Sequence, residues 1–205
     1  MFLGPDATPH VSGGRLCLGV VNTVLWRRSD APVERLTSYD DLVRHVARAG
    51  WLPDADRLVA AGIAHPRKAR AVLEHAIDLR ETLFRIFSDV AARETPPSAA
   101  MRALNRALAD AMSHVELVSS GAGEFETRWG RGETLDVPVW QMAASAGALL
   151  ASDERERLKQ CPGEQCGWVF VDVSSNQSRR WCDSKVCGNR ARVRAHYERA
   201  RQAAG

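Results

Sequence analysis

Apolar positions recur at three- and four-residue steps through residues 66–93, at Val72, Ile77, Leu79, Leu83, Ile86, Phe87 and Val90. That period predicts one long helix with a buried stripe, stopped by Pro96-Pro97. Met101, Leu104, Leu108 and Met112 continue the pattern in a second helix over 98–112. Residues 38–49 read as a capped helix. Thr37 or Ser38 can accept from its first N–H groups, Asp40 and Asp41 sit in its first turn, Leu42, Val46 and Ala49 form its stripe, and Gly50 follows as a stop. A short helix is expected over 53–61, with Gly62 after it. The stretch Leu16-Cys17-Leu18-Gly19-Val20-Val21-Asn22-Thr23-Val24-Leu25-Trp26 is apolar almost throughout, so periodicity does not separate helix from strand, and its length favours a helix. Alternation replaces the helical period at 114–119 and 124–129. With the turn signal Gly130-Arg131-Gly132 and a return over 134–137, it predicts a small hairpin or three-stranded meander. Pro138 then opens a helix through Trp140, Met142, Ala143, Leu149 and Leu150 that reaches Lys159 and runs straight into the segment that follows.

These elements make a mainly α protein with a small β-hairpin or meander. Residues 1–14, with Pro5, Pro9, Gly13 and Gly14, form an irregular arm, 15–158 a mainly helical domain, and 159–205 a separate module. A hydrophobic content of 45% is enough for a real core. No stretch approaches the ~18 apolar residues of a membrane span. The opening MFLGPDATPH lacks the basic start and apolar run of a signal peptide, so a cytoplasmic location is expected. The net charge of +3 hides an asymmetry: residues 1–154 hold 17 Lys and Arg against 20 Asp and Glu, whereas 155–205 hold 11 against 5. The positive end points to a polyanion partner.

Four of the five cysteines lie in that positive end, at Cys161, Cys166, Cys182 and Cys187, as two C-x4-C pairs fifteen residues apart. In a reducing compartment, paired cysteines are more often metal ligands than disulfides. A structural zinc takes four thiolates tetrahedrally, and a short loop lets both thiolates of a pair face one ion. Two disulfides, free thiols or an iron–sulfur cluster are the competing assignments, and no vacant ligand position marks a catalytic zinc. Residues 168–173 have strand character, Ser174-Ser175-Asn176-Gln177 a turn, and 179–181 a returning strand that brings the second pair back to the first. A helix over 189–201 follows, with Val193, Tyr197 and Ala200 on one apolar face. The module is thus a treble-clef-like finger of hairpin and terminal helix, dependent on the metal for much of its stability. Trp168, Phe170 and Trp181 are its core or a set of stacking residues. Cys17 reads as a small buried hydrophobe.

Arginines crowd the finger. Arg190, Arg194 and Arg201 share one side of the terminal helix, and Arg192 and Arg199 another. A four-thiolate zinc carries about two negative charges and attracts cations for that reason alone. Cations on an exposed terminal helix also suit its C-terminal dipole. Their number exceeds what one zinc site requires, which favours contact with nucleic acid over solvated or charge-compensating arginines.

The strings Arg179-Arg180-Trp181-Cys182 and Cys187-Gly188-Asn189-Arg190 resemble the CGNR-type zinc finger, over roughly 159–203. Leu16-Cys17-Leu18-Gly19-Val20-Val21-Asn22-Thr23-Val24 is similar to the opening of the stress-induced transcription regulator domain that accompanies this finger. Gly19 and Val20 stand where Asp and Phe are usual there. The resemblance implies a bacterial regulator with a helical N-terminal domain and a DNA-binding finger.

The leading expectation is therefore a zinc-dependent DNA-binding transcription regulator. Cys161, Cys166, Cys182 and Cys187 would hold Zn²⁺, and Arg190, Arg192 and Arg194, supported by Arg179, Arg180 and Lys185, would touch DNA. The helical domain would sense a small ligand or form a homodimer. Asn22, Thr23 and Trp26 are candidates for a pocket wall, against the alternative of core packing with satisfied polar groups. A protein-interaction module with a rigid finger is the second reading. An enzyme is the third, for which His45, His65, His75 and His114 show no ligand or triad spacing, and Glu74, Asp78 and Glu81 read as a solvated helix face.

Overall fold

The computed structural model describes residues 15–49, 52, 54–121, 123–130 and 134–203. The arm at 1–14, the stop at Gly50, the expected start at Pro53 and the Arg131-Gly132 turn lie outside them. The long apolar run divides. Leu16–Val21 is a helix (α1), and Val24–Leu25 is a strand (β1) paired antiparallel with Val33–Glu34 (β2). Both halves are buried, so hydrophobicity does not choose between them. The polar pair between them does: Thr23 Oγ1 donates to Val20 O at 2.7 Å and closes the helix.

Tyr39–Arg48 (α2) is capped as its sequence predicts. Ser38 Oγ accepts from the Asp41 N–H, and the Asp41 carboxylate accepts from the Ser38 N–H. The next helix, Ala55–Ala64 (α3), runs past Gly62, because Pro66 one turn later sets the boundary. Gly62 is a packing residue instead. A Cβ there would sit 2.6 Å from the Tyr39 ring. Gly62→Ala ordinarily strengthens a helix by up to ~1 kcal/mol. Here it is expected to destabilise the protein by about 1–2 kcal/mol, seen as a lower urea midpoint at unchanged slope.

Pro66–Ala91 (α4) is the long helix, 26 residues and about 39 Å. It packs against α1, α2, α3 and the following helix, Ser98–Ser113 (α5). Val137–Ala151 (α6) is buried on nearly every side, from Val139 and Trp140 to Met142, Ala146 and Leu149, and so forms the centre of the bundle. It stops at Ala151 rather than reaching Lys159. The acidic–basic run Asp153–Arg157 has no apolar stripe to bury and forms a 3-10 turn tied by the ion pair of Arg15 and Glu154. Val115–Gly121 (β3) and Glu124–Trp129 (β4) make the expected hairpin, with Leu117 and Phe125 exposed. No third strand joins it among the described residues. Leu135 is buried in the core and Val137 already opens α6. No described helix is long and apolar enough to cross a membrane.

Leu158–Gln160 (β5) pairs antiparallel with Val169–Val171 (β6). The finger's hairpin therefore forms across the first cysteine pair, with residues 161–168 as its loop. Residues 179–181 are not a strand. Val169 and Val171 join the same hydrophobic core as α1, α4 and α6, so that core crosses the boundary expected at 158/159. A π-helical turn, Ser184–Gly188, leads into Asn189–Ala203 (α7). The apolar face expected on α7 is not packed: Val193 and Tyr197 are exposed and no residue of the helix is buried.

Candidate metal centre and the basic helix beside it

The first cysteine pair is shaped by its loop. Cys161 N–H donates to Trp168 O at 2.8 Å and Cys166 N–H to Gly163 O at 2.9 Å, which turns both thiols inward. A Cβ on Gly163 would stand 3.1 Å from Cys166 Cβ and 3.5 Å from the Sγ atoms of Cys161 and Cys187, so the loop passes close over the cluster. The second pair is set by Asp183, whose carboxylate accepts from the N–H groups of Lys185 and Val186 at 2.7 and 3.1 Å. That cap starts the turn that carries Cys187 to the base of α7.

The four Sγ atoms lie within 4.8 Å of one another, and all four residues are buried. Cys166 and Cys187 each stand 3.6 Å from Cys182. A disulfide requires ~2.05 Å. A tetrahedral zinc with Zn–S near 2.3 Å requires S···S edges of about 3.8 Å, which these distances approach. The cluster fits a structural zinc: all four positions come from the chain and none is left open. Hydrogen bonding with Cys166, Cys182 and Cys187 holds the Cys161 thiol well below the usual range. Hydrogen bonding with Cys161, Cys166 and Cys187, with burial behind it, pushes the Cys182 thiol up. A divalent cation displaces the thiol protons and lets all four become thiolates. Cys17 lies elsewhere, fully buried, and burial pushes its thiol up to about 11.

The chain between the cysteine pairs returns through an ion pair of half-buried Lys159 with buried Asp172 rather than a strand. Lys159 Nζ donates to the Asp172 carboxylate at 2.7 Å and to the carbonyls of Gln177 and Arg179 at 2.6 and 3.1 Å. Asp172 also accepts from the N–H groups of Ser174 and Arg179. Burial works against its charge, but Lys159 and Ser174 outweigh it and hold its pKa down to about 2. Trp168 and Phe170 are core: both are buried, and Trp168 Nε1 donates to Val24 O at 2.9 Å.

The basic residues fall into three groups. Arg179 wraps the finger, donating to the carbonyls of Trp181 and Cys182 and lying 4.6 Å over the Phe170 ring. Arg190 and Arg194 are engaged by the protein: Arg190 stacks 4.2 Å over the Trp26 ring of the helical part, and Arg194 pairs with Glu164 in the first cysteine loop. Lys185 and Arg192 are exposed and form no ion pair among the described residues, and Arg180 rests 5.1 Å over Trp181. Arg199 is exposed and seven residues beyond Arg192, as Lys185 is seven before it. Arg192 and Arg199 lie two turns apart on one side of α7, and Lys185 sits on the π-helical turn that leads into it. The seven-residue spacing is present in the sequence and is the signal that adds Arg199 to the set.

Asn22, Thr23 and Trp26 are brought close together but do different things. Asn22 is 2% exposed; its Nδ2 donates to Val169 O at 2.8 Å and its Oδ1 accepts from Val169 N–H at 3.0 Å. Thr23 Oγ1 accepts from the buried Arg80, which also forks onto Glu34 with two bonds of 2.7 Å. Trp26 holds a φ of +53° and lines a cavity beside the cysteines. Of the carboxylates named on the long helix, Glu81 is spent on Arg27 and Arg80.

A family model for a CGNR zinc finger matches residues 157–200, and one described as "Putative stress-induced transcription regulator" matches residues 14–153. No curated protein matches the chain.

Proposed function

The chain belongs to the stress-induced transcription regulator family and carries a CGNR zinc finger, and from that premise we propose that it binds DNA through α7 in a zinc-dependent manner. The observation that carries this reading is the exposed pair Arg192 and Arg199 on one side of a helix whose base is fixed by the metal centre, with exposed Lys185 on the turn before it. A rigid helix with cations along one side suits the groove and phosphates of a duplex. Arg180, exposed over Trp181, is a further cation for this contact. Arg190 and Arg194, engaged by Trp26 and Glu164, contribute to DNA only by leaving those partners. The helical part would regulate this contact, by taking a small ligand or a second copy of the chain.

The test is the salt dependence of binding by zinc-loaded full-length protein. Each phosphate that a variant no longer neutralises lowers the slope of log K against log salt by about 0.9. The triple variant Lys185/Arg192/Arg199→Ala is expected to lower it by about 2.7, and Arg190/Arg194→Ala by less. An unchanged slope in the triple variant would remove this surface from the DNA interface. The exposed Val193 and Tyr197 on the same helix favour a protein partner as the second reading. Under that reading the parent protein has no sequence preference in a random DNA pool, and the triple variant changes only weak, non-specific binding.

A further inference from the structure

In the finger, bordered on the helical part only by Trp26, lies a cavity of about 290 Å³ walled also by Trp181, Glu164, Gln165, Arg190 and Arg194. We propose that this cavity binds a guanine base. The volume is at the low end for ligand sites, which begin near 300 Å³, and suits one base rather than a larger molecule.

Charge narrows the class. Arg190 and Arg194 are matched by Glu164 and by Glu198, which also lines the cavity. Behind its wall at Cys166 and Cys187 a four-thiolate zinc would add about two negative charges. That field opposes a free anion and leaves a neutral, flat, polar ligand as the favoured occupant. Flatness is supported by the Arg190 guanidinium, a planar delocalised group that already lies 4.2 Å over Trp26. The guanidinium covers that indole face, so a base stacks on the guanidinium's outer plane, as bases do on arginine.

The edges select among bases. Arg194 and Glu164 pair with each other at the cavity wall, side by side and both more than half exposed. An exposed pair of this sort contributes little to stability, so parting it costs little. Guanine offers two adjacent donors, N1–H and N2–H₂, to a carboxylate, and two acceptors, O6 and N7, to an arginine fork. Adenine lacks the double donor, and uracil lacks both the size and the N7 acceptor. The site is independent of the duplex contact proposed above, because a nucleoside carries no phosphate.

The experiment titrates guanosine, inosine, adenosine and uridine into zinc-loaded full-length protein and reads tryptophan fluorescence. Guanosine is expected to quench saturably, with inosine, which lacks only the N2 amino group, roughly tenfold weaker. Glu164→Gln should keep its zinc, lose about tenfold in guanosine affinity and bind guanosine and inosine alike. A trinucleotide with one central dG is the second arm. Tighter binding than guanosine assigns the site to a base within a strand; weaker binding assigns it to the free nucleoside. Absence of saturation by about 1 mM guanosine overturns the proposal. So does a guanosine-to-inosine ratio that Glu164→Gln leaves unchanged.

Discussion

Removal of the metal by a chelator is expected to unfold residues 158–203 and to loosen α1 and β1 with them, while the α4–α5 pair keeps its protection. Structural zinc supplies apparent binding energies of about 10–16 kcal/mol, comparable to the whole stability of a typical domain. Without it, four buried thiols remain with no cation, and the hydrogen bonds of the two cysteine loops do not replace that energy. The loss does not stop at the finger. Val169 and Val171 are fully buried in the main core, and burial of a valine is worth roughly 1.5–3 kcal/mol. Trp168 and Asn22 tie β6 to β1 and to the end of α1. The long helix α4 also touches β5 and β6, but it packs as well on α2, α3, α5 and α6, which stay in place when the finger opens. Hydrogen exchange after chelation distinguishes the outcomes. The expected pattern is near-complete exchange over 158–203, partial loss over 16–25 and retained protection in α4 and α5. Simultaneous loss in α4 and α5 would mean that the chain unfolds as one unit, and full retention over 158–203 would mean that the metal is not what holds the finger.

Local signals carry much of this architecture, and non-local ones carry the rest. The Ser38–Asp41 cap, the stripe of α4, the proline stop before α5 and the alternation of β3 and β4 are encoded within a few residues, and the structure follows them. The cysteine spacing is legible for the same reason: a short loop brings its two thiols together whatever surrounds it. Three features depend on partners distant in sequence. Gly62 looks like a helix stop until the Tyr39 ring is placed against it. Residues 168–171 look for a strand downstream, yet their partner lies upstream at 158–160, because the metal loop itself is the turn. The return of the second cysteine pair rests on Lys159 and Asp172, and nothing in the local pattern marks a lysine as the partner of an aspartate thirteen residues on. The arginines show the same limit. Helical spacing separates two sides of α7, but only Trp26 and Glu164 reveal that one side faces the protein.

Asn22→Leu is expected to destabilise the protein by about 3 kcal/mol and to speed the loss of zinc to a chelator. The side-chain amide of Asn22 presents a donor and an acceptor, as a peptide group does, and it pairs with both the C=O and the N–H of Val169. Those two groups belong to the edge of a two-stranded ladder, and Val169 is completely buried, so water does not replace the amide. Each buried group left without a partner costs roughly 1–3 kcal/mol. Leucine keeps the branching at Cγ and leaves no cavity, and its bulkier methyls add an overpacking cost to this loss. The consequence for zinc follows by linkage. The hairpin that carries Cys161 and Cys166 is held to α1 by this amide, and weakening the clasp raises the population of the open finger from which metal escapes. Asn22→Asp should be worse than leucine, because its carboxylate would face the Val169 carbonyl without a donor between them. Urea midpoints and the rate of zinc transfer to a coloured chelator measure the two effects. If Asn22→Leu matches the parent in both, the polar clasp is not what joins the finger to the helical part, and the shared apolar core of Val169 and Val171 alone must do so.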